Sequence, residues 1–347
     1  MQLYLGIVIF SFVVTAVLVV PFINFLYRMK ATVKSEVKEV RKYATEELAV
    51  IREKQARKAG TPTGLGVLLV GVIATLFMVL FPILSIPRTT NALFSGFPLQ
   101  RELVVIFITF TGFGLIGLYD DILKIFGFAK TGVFGLRRWH KFALQWVVAL
   151  ATGSLLYWGL GIDIVNLPGV GVLHLGTGYV FGAALMLVTF ANAFDITSGL
   201  DSLGEGLLMI CLLAFWIISV TQLDQVLSLF IAIWLGSLMA GIYFTIYPAR
   251  AFLGNASGMA FGATLALVGL LSGKIVALLV IGLPFLVDGG SSLVQILGKS
   301  ILKRRIFPIA PLHHWLEILG WEEPKIVARA WLTGLVLAIF GMWLAFI

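Results

Sequence analysis

The stretch LVVIFITFTGFGLIGLYDDILK, residues 103–124, is almost entirely apolar until it reaches two adjacent aspartates, Asp120 and Asp121. An apolar run of about 20 residues is long enough to cross a bilayer as an α-helix. Ionised carboxylates next to hydrocarbon are costly unless they have a partner or a task. The stretch therefore predicts a membrane helix that ends at a pair of functional carboxylates.

The same apolar pattern recurs along the whole chain. Of its 347 residues, 60% are hydrophobic and 12% charged, and the mean hydropathy is +1.03. A soluble domain carries about 25% charged residues. The pattern predicts an all-α polytopic membrane protein with about ten transmembrane helices in a single integral membrane domain, residues 1–347, without internal repeats. The predicted spans are 3–27, 62–83, 101–119, 141–160, 176–193, 204–221, 226–246, 257–272, 276–297 and 325–346.

The distribution of Lys and Arg predicts the orientation of these spans. Nearly all of them lie in alternate loops, at residues 28–60, 120–141, 246–256 and 298–325, whereas the other loops hold only Arg88, Arg101 and Lys274. Basic loops stay in the cytoplasm, so both termini are predicted to be extracytoplasmic. The segment 28–60 is predicted to be a charged cytoplasmic helix in solvent or on headgroups. Basic residues confined to loops argue against nucleic acid as a partner of this chain.

Polar clusters in the cytoplasmic loops predict the chemistry. Carboxylates and basic side chains next to glycine-rich turns suit phosphate groups and Mg²⁺, although no P-loop pattern is present. Neighbouring residues on a helix point about 100° apart, so Asp120 and Asp121 are expected to serve two different partners. Acidic residues at span ends, rather than at mid-span, disfavour a transporter. The predicted active-site loops are about 120–141, 192–206, 246–262 and 298–325.

The loops, taken in order, resemble those of the polyprenyl-phosphate N-acetylhexosamine-1-phosphate transferases. The matching motifs are KAGTPT at 58–63, DDILK at 120–124, NAF and GLD at 192–194 and 199–201, YPARAFLG at 247–254, and APLHHWLE with GWEEPK at 310–317 and 320–325. The histidine motif is most similar to the muramoyl-pentapeptide branch of that family. The resemblance covers the chain from about Lys58 to Arg329.

The resemblance implies a reaction and roles for individual residues. A phospho-N-acetylmuramoyl-pentapeptide group would pass from its UDP derivative to undecaprenyl phosphate with Mg²⁺, giving lipid I and UMP. It implies catalytic roles for Asp120, Asp121 and His313. It also implies that Asp121 and Asn255 bind the metal. Asp195 is a further hypothetical metal ligand, because it stands three residues from Ser198, about one helical turn away. The substrate-binding residues that the resemblance implies are Lys58, Thr63, Lys124, Asn192, Gly199, Leu200, Asp201, Phe252 and His314, with Phe252 stacking on uracil.

The resemblance also implies surroundings for the protein. It would lie in a bacterial cytoplasmic (inner) membrane as a multi-pass protein, with the active site on the cytoplasmic face. Its expected partners are undecaprenyl phosphate, UDP-MurNAc-pentapeptide and membrane lipids, and a homodimer is a further expectation.

Five positions depart from the family's motifs. The third histidine of the family falls at Trp315, and a polar asparagine falls at Thr245. The aspartate that binds the family's metal falls at Asn255, another family aspartate falls at Ser198, and a family asparagine falls at Asp195. Because an asparagine offers Mg²⁺ a neutral carbonyl without charge, affinity for the ion should fall. Two alternatives stay open: a transferase that uses another UDP-N-acetylhexosamine, or a catalytically silent relative that binds the lipid carrier or a nucleotide sugar.

Overall fold

The apolar runs form α-helices, as the computed structural model shows for residues 2–33, 51, 53, 55–85, 95–126 and 136–347, the part of the chain that it describes. Most of the predicted charged segment 28–60 and residues 127–135 of the loop 120–141 lie outside the described residues. The helices include α1 Gln2–Arg28, α2 Leu65–Ser85, α3 Leu99–Phe126, α4 Arg138–Ser154 with a π-helical extension Leu155–Gly159, α5 Gly178–Thr197, α6 Leu203–Thr221, α7 Gln225–Thr245, α8 Asn255–Leu271, α9 Ile275–Ile281, α10 Leu283–Ile301, α11 Leu312–Ile318 and α12 Glu323–Phe346.

The helices confirm the all-α polytopic class. Among the described residues, eight helices are long and apolar enough to cross a membrane, and a ninth span results if α9 and α10 count together. The 17-residue α8 occupies the place of the remaining predicted span. A short antiparallel hairpin, β1 Ile164–Leu167 and β2 Gly171–His174, pairs Ile164 with His174; the sequence analysis did not predict it.

The prediction of a single span at 276–297 is wrong in one respect, because this segment forms two helices instead of one straight helix. Helices α9 and α10 meet at a 73° bend. Gly282 lies at the bend and Pro284 at the start of α10. Proline has no backbone N–H to donate to the preceding turn, which favours a helix start there. The bend turns α10 toward the end of the bundle where the polar loops gather.

The core of the bundle lies around α7 and α8. Helix α7 is almost entirely buried by α1, α2 and α6, and α8 packs between α3 and α5. Large aromatic side chains fill the space between them, and edge contacts join Phe110 to Phe230 and Trp234. Such edge contacts are favourable for aromatic rings. A rigid centre of this kind fixes the helix ends that carry the polar residues.

Loop contacts gather the polar loops at one end of the bundle. Thr63 forms a parallel bridge with Phe252, so the segment before α2 lies beside the segment before α8. Asp121, near the end of α3, accepts backbone hydrogen bonds from the start of α8. Thr32 pairs with Pro62 just after α1, and Glu323 at the start of α12 contacts Lys58, so α1 ends and α12 begins at this end of the bundle. The first residues of α1 and the last residues of α12 therefore lie at the opposite end. This agrees with the predicted placement of both termini on one side.

Candidate active site

The carboxylate of Asp121 caps the first turn of α8. Its Oδ1 accepts the backbone N–H of Asn255 at 3.0 Å and its Oδ2 that of Ala256 at 2.9 Å. A carboxylate is favourable there because the free N–H groups of a helix start carry partial positive charge. The close approach requires Gly117, where a Cβ would lie 2.1 Å from the Asn255 carbonyl oxygen. Asp121 therefore links two helices that the sequence separates by more than a hundred residues.

Asp120 contacts two lysines that Asp121 does not contact, and both aspartates contact Asn255. The Oδ2 of Asp120 lies 3.0 Å from the ammonium of Lys124 and 3.5 Å from that of Lys141. It also accepts a hydrogen bond from the side-chain amide of Asn255. Its Oδ1 accepts the backbone N–H of Leu136 at 2.8 Å. Two cations thus share one buried carboxylate.

Lys141 connects this carboxylate to a second one. Its Nζ lies 3.0 Å from Oδ2 of Asp195 as well as near Asp120. Asp195 packs closely against Gly258, where a Cβ would lie 2.7 Å from Oδ1. Sequence reasoning missed Lys141 because it stands at the end of a basic loop, where lysines usually anchor spans.

Lys58 forms a second ionic cluster. Its Nζ lies 2.5 Å from Oδ1 of Asp201 and 2.6 Å from Oε1 of Glu323, and it lies over the ring of Phe252 at 5.6 Å from the centroid. Burial alone lowers the pKa of Lys58, but the carboxylates of Glu323 and Asp201 outweigh it and raise this pKa above its ordinary value. Lys58 is therefore held as a cation. Glu323 was also missed, since it lies in the predicted loop 298–325, two residues before a predicted span.

Two histidines of α11 lie next to this cluster. His313 is 3% exposed and its Nδ1 lies 2.8 Å from Oδ2 of Asp288. A Cβ at Gly199 would lie 2.8 Å from its Nε2, so the ring faces the turn that leads to Asp201. The Nδ1 of His314 lies 2.7 Å from Glu317. Burial lowers the pKa of His314, and the nearby carboxylate opposes this only in part.

The other predicted site residues lie on the same end of the bundle. Thr63 pairs with Phe252 through its backbone, and Leu200 is buried beside Asp201. The side chain of Asn192 donates a 2.8 Å hydrogen bond to Gln145 of α4, a residue that sequence reasoning did not select. The hydroxyl of Ser198 donates to the carbonyl of Phe194 within α5.

The clusters form one connected arrangement. Asp121 lies beside Gly254, where a Cβ would lie 2.8 Å from its Oδ2, and the strand-like segment from Phe252 to Gly254 joins it to the Lys58 cluster. His313 reaches the same arrangement through Gly199. The structure thus brings ammonium groups, carboxylates and imidazoles together at the end of a membrane-spanning bundle. Such a mixture can bind a phosphorylated ligand and stabilise charge on a transferring phosphoryl group.

Sequence comparisons place this chain in a known family. The profile of glycosyl transferase family 4 matches residues 103–273. A phospho-N-acetylmuramoyl-pentapeptide-transferase of Levilactobacillus brevis is 32% identical over 86% of this chain and 90% of its own length. The chain belongs to the phospho-N-acetylmuramoyl-pentapeptide-transferase family. Relatives of the same name from Limosilactobacillus reuteri and Bacillus pumilus are 34% identical over 83% and 28% identical over 99% of this chain.

Membership in the phospho-N-acetylmuramoyl-pentapeptide-transferase family confirms the resemblance found in the loops. The protein is a glycosyl-1-phosphate transferase embedded in a membrane through multiple spans. Its substrates include a lipid carrier, as expected of this family.

Proposed function

We propose that the protein transfers phospho-N-acetylmuramoyl-pentapeptide from its UDP derivative to undecaprenyl phosphate in peptidoglycan synthesis. A phosphate oxygen of the lipid forms a bond to the phosphorus that carries the sugar. The bond between this phosphorus and the oxygen of UMP breaks, and UMP leaves with the electron pair. The products are lipid I and UMP. Relatives named for this sugar favour it over another UDP-N-acetylhexosamine.

One observation carries the proposal: Lys124 and Lys141 both lie within 3.5 Å of Oδ2 of Asp120. The carboxylate holds two ammonium groups at one point. Phosphate oxygens that enter the site compete for these cations and receive their charge. Fixed cations of this kind stabilise the negative charge on a transferring phosphoryl group without reorganisation. Lys58, held by Asp201 and Glu323, offers a third cation.

The donor set does not fit a resident Mg²⁺ ion as it stands. Mg²⁺ prefers a few carboxylate oxygens together with phosphate and water oxygens. Asp120 instead faces Lys124, Lys141 and the amide of Asn255, while both oxygens of Asp121 accept backbone N–H groups. Among the residues that the structure describes, no three His, Cys, Asp or Glu side chains lie close enough to hold a metal. The magnesium requirement stays a prediction.

The proposal includes the surroundings of the site. The basic loops support a cytoplasmic location for this end of the bundle in a bacterial cytoplasmic membrane. UDP-MurNAc-pentapeptide then reaches the site from the cytosol, and undecaprenyl phosphate from the bilayer, with its phosphate at headgroup depth. The predicted homodimer and the contacts with membrane lipids stay predictions.

The test is UMP release by the purified protein in lipid nanodiscs, with undecaprenyl phosphate and either UDP-MurNAc-pentapeptide or UDP-N-acetylglucosamine. We expect release with the first sugar nucleotide only. Lys124→Met should lower kcat/KM about tenfold or more, because a hydrogen bond to a charged group contributes about 1.5 to 3 kcal/mol. Lys274→Met, at the opposite end of the bundle, is the matched control and should leave the rate unchanged. Absence of UMP release with every UDP-sugar would favour the silent relative.

A further inference from the structure

Asp288 of α10 binds His313 at two points. Its Oδ1 accepts the backbone N–H of His313 at 3.0 Å, and its Oδ2 lies 2.8 Å from Nδ1 of the ring. Both residues are buried, with 7% and 3% of their surface exposed. Asp288 lies on α10, which follows a 73° bend after α9, whereas His313 lies on α11. The position of this carboxylate relative to the ring therefore depends on the fold and not on local sequence.

This contact fixes the tautomer of the imidazole. An ionised carboxylate only accepts hydrogen bonds, so the proton of a neutral ring must stand on Nδ1. The second nitrogen, Nε2, then carries a lone pair and acts as an acceptor. The choice between tautomers is set by the hydrogen bond that the other nitrogen makes.

The Nε2 atom of His313 is buried and has no hydrogen-bond partner among the described residues. It faces Gly199, where a Cβ would lie 2.8 Å away, so a larger residue there would fill the space beside it. A buried polar atom without a partner costs about 1 to 3 kcal/mol. The unpaired acceptor at the Gly199 turn, next to the cluster of Lys58 and Asp201, indicates that a ligand supplies the missing donor.

We propose that Asp288 is a positioning residue that holds His313 in the Nδ1–H tautomer, so that Nε2 accepts a hydrogen bond from an O–H or N–H group of the bound nucleotide sugar. This inference rests on the proposed function for the identity of the ligand. The tautomer itself follows from the contact with Asp288 and is present in the free protein.

The second histidine does not duplicate this arrangement. The partner of His314 is Glu317, three residues later on the same short helix. Because both residues lie on α11, this contact does not link α11 to α10. Asp288 instead comes from a different element, 25 residues earlier in the chain. Replacing Asp288 should therefore change the tautomer of His313. The contact between His314 and Glu317 should stay intact.

The experiment uses ¹⁵N NMR of the full-length protein with ¹⁵N-labelled histidine in nanodiscs. The chain has four histidines, so His313 can be assigned with a His313→Gln variant. We expect the Nδ1–H form of His313 in the wild type and the Nε2–H form in Asp288→Asn, whose amide donates to Nδ1. Asp288→Glu should restore the Nδ1–H form. Asp288→Asn should lower kcat/KM about 10- to 100-fold, because a hydrogen bond to a charged group contributes about 1.5 to 3 kcal/mol, and Asp288→Glu should recover most of it.

A matched control exists at the opposite end of the bundle. In the exposed pair of His174 and Asp163, Nδ1 lies 3.4 Å from the carboxylate. Asp163→Asn removes the same type of partner and should leave both the His313 signal and the transfer rate unchanged.

Two results would overturn the proposal. One is an unchanged His313 tautomer in Asp288→Asn, whatever the activity of that variant. The other is the changed tautomer with a transfer rate within twofold of the wild type. A wild-type protein without transferase activity but with the Nδ1–H form would contradict the proposed function and keep the tautomer assignment.

Discussion

The side-chain amide of Asn255 donates a hydrogen bond to the carboxylate of Asp120. A neutral donor thus stands where the family's motif has a metal-binding aspartate. The contact suits this pair of residues, because an aspartate at 255 would place a second negative charge against Asp120. Two carboxylates in such contact cannot both ionise easily unless a cation lies between them.

Asn255→Asp should therefore make the thermal stability depend more strongly on Mg²⁺ than that of the wild type. Without the ion, repulsion between the two carboxylates should lower the thermal stability. With Mg²⁺, ion binding to the folded state should restore it, because a ligand that binds only the folded state stabilises it. The measurement is the Tm in nanodiscs over a Mg²⁺ titration, with UMP release measured in parallel.

The matched control for this variant is Asn166→Asp, in the exposed hairpin at the opposite end of the bundle. It adds the same charge far from the site and should show no Mg²⁺-dependent rise in Tm. An equal Mg²⁺ effect on the wild type and Asn255→Asp would contradict the assignment of Asn255 as the position that weakens the metal site.

Lys141 and Asp195 should show strong energetic coupling. The side chain of Lys141 is 17% exposed, and its Nζ lies 3.0 Å from Asp195. The side chain of Asp195 is 23% exposed, so the pair is only partly buried. Lys141→Met leaves two carboxylates without their shared cation, and it should cost less than the loss of about 3 to 5 kcal/mol that follows the breaking of a fully buried pair. Asp195→Asn removes one of these charges, so the double variant should be more stable than the sum of the single changes predicts.

The measurement for this pair is a double-mutant cycle of unfolding free energies in detergent. A coupling of about 0.5 to 3 kcal/mol is expected for residues in one ionic network. Strictly additive effects would show that Lys141 and Asp195 do not interact in the folded protein.

The sequence predicted the helices better than their breaks. Apolar runs such as residues 226–246 determine a helix by themselves, because a bilayer requires the backbone to satisfy its own hydrogen bonds. The bend between α9 and α10 escaped prediction because both halves are apolar and the break depends on Gly282 and Pro284. The hairpin 164–174 escaped because it is short and lies between spans.

The sequence predicted the polar loops of the site but not all of the residues that hold it together. Lys141 and Glu323 were missed because charges at span ends usually serve as anchors. Asp288 lies inside the predicted span 276–297, and an ionisable residue within a span is a functional candidate by default. The expectation that acidic residues occur at span ends was wrong for Asp288. This residue was missed, although its position inside a predicted span was a signal that could have found it.

His314 should make the stability of the protein sensitive to acid. Burial lowers its pKa, so in the folded state the ring binds a proton less readily than in the unfolded chain. The unfolded state then binds more protons near and just below the ordinary histidine pKa of about 6.5, and stability falls as the pH drops through this range. His314→Gln should flatten this part of the Tm profile between about pH 5 and 7. His174→Gln, which changes an exposed histidine, is the control and should leave the slope as it is.

Glu323 should control the binding of the nucleotide sugar through Lys58. Its Oε1 accepts hydrogen bonds from the ammonium of Lys58 at 2.6 Å and from the backbone N–H of Asp201 at 2.6 Å. Glu323→Gln preserves the shape but removes the charge that fixes Lys58. We expect KM for the UDP-sugar to rise about tenfold, since a charged hydrogen bond contributes about 1.5 to 3 kcal/mol, with a smaller change in kcat. Glu322→Gln, its exposed neighbour, is the control. An equal loss in both variants, or a fall in kcat with KM unchanged, would exclude a binding role for the Lys58 cluster.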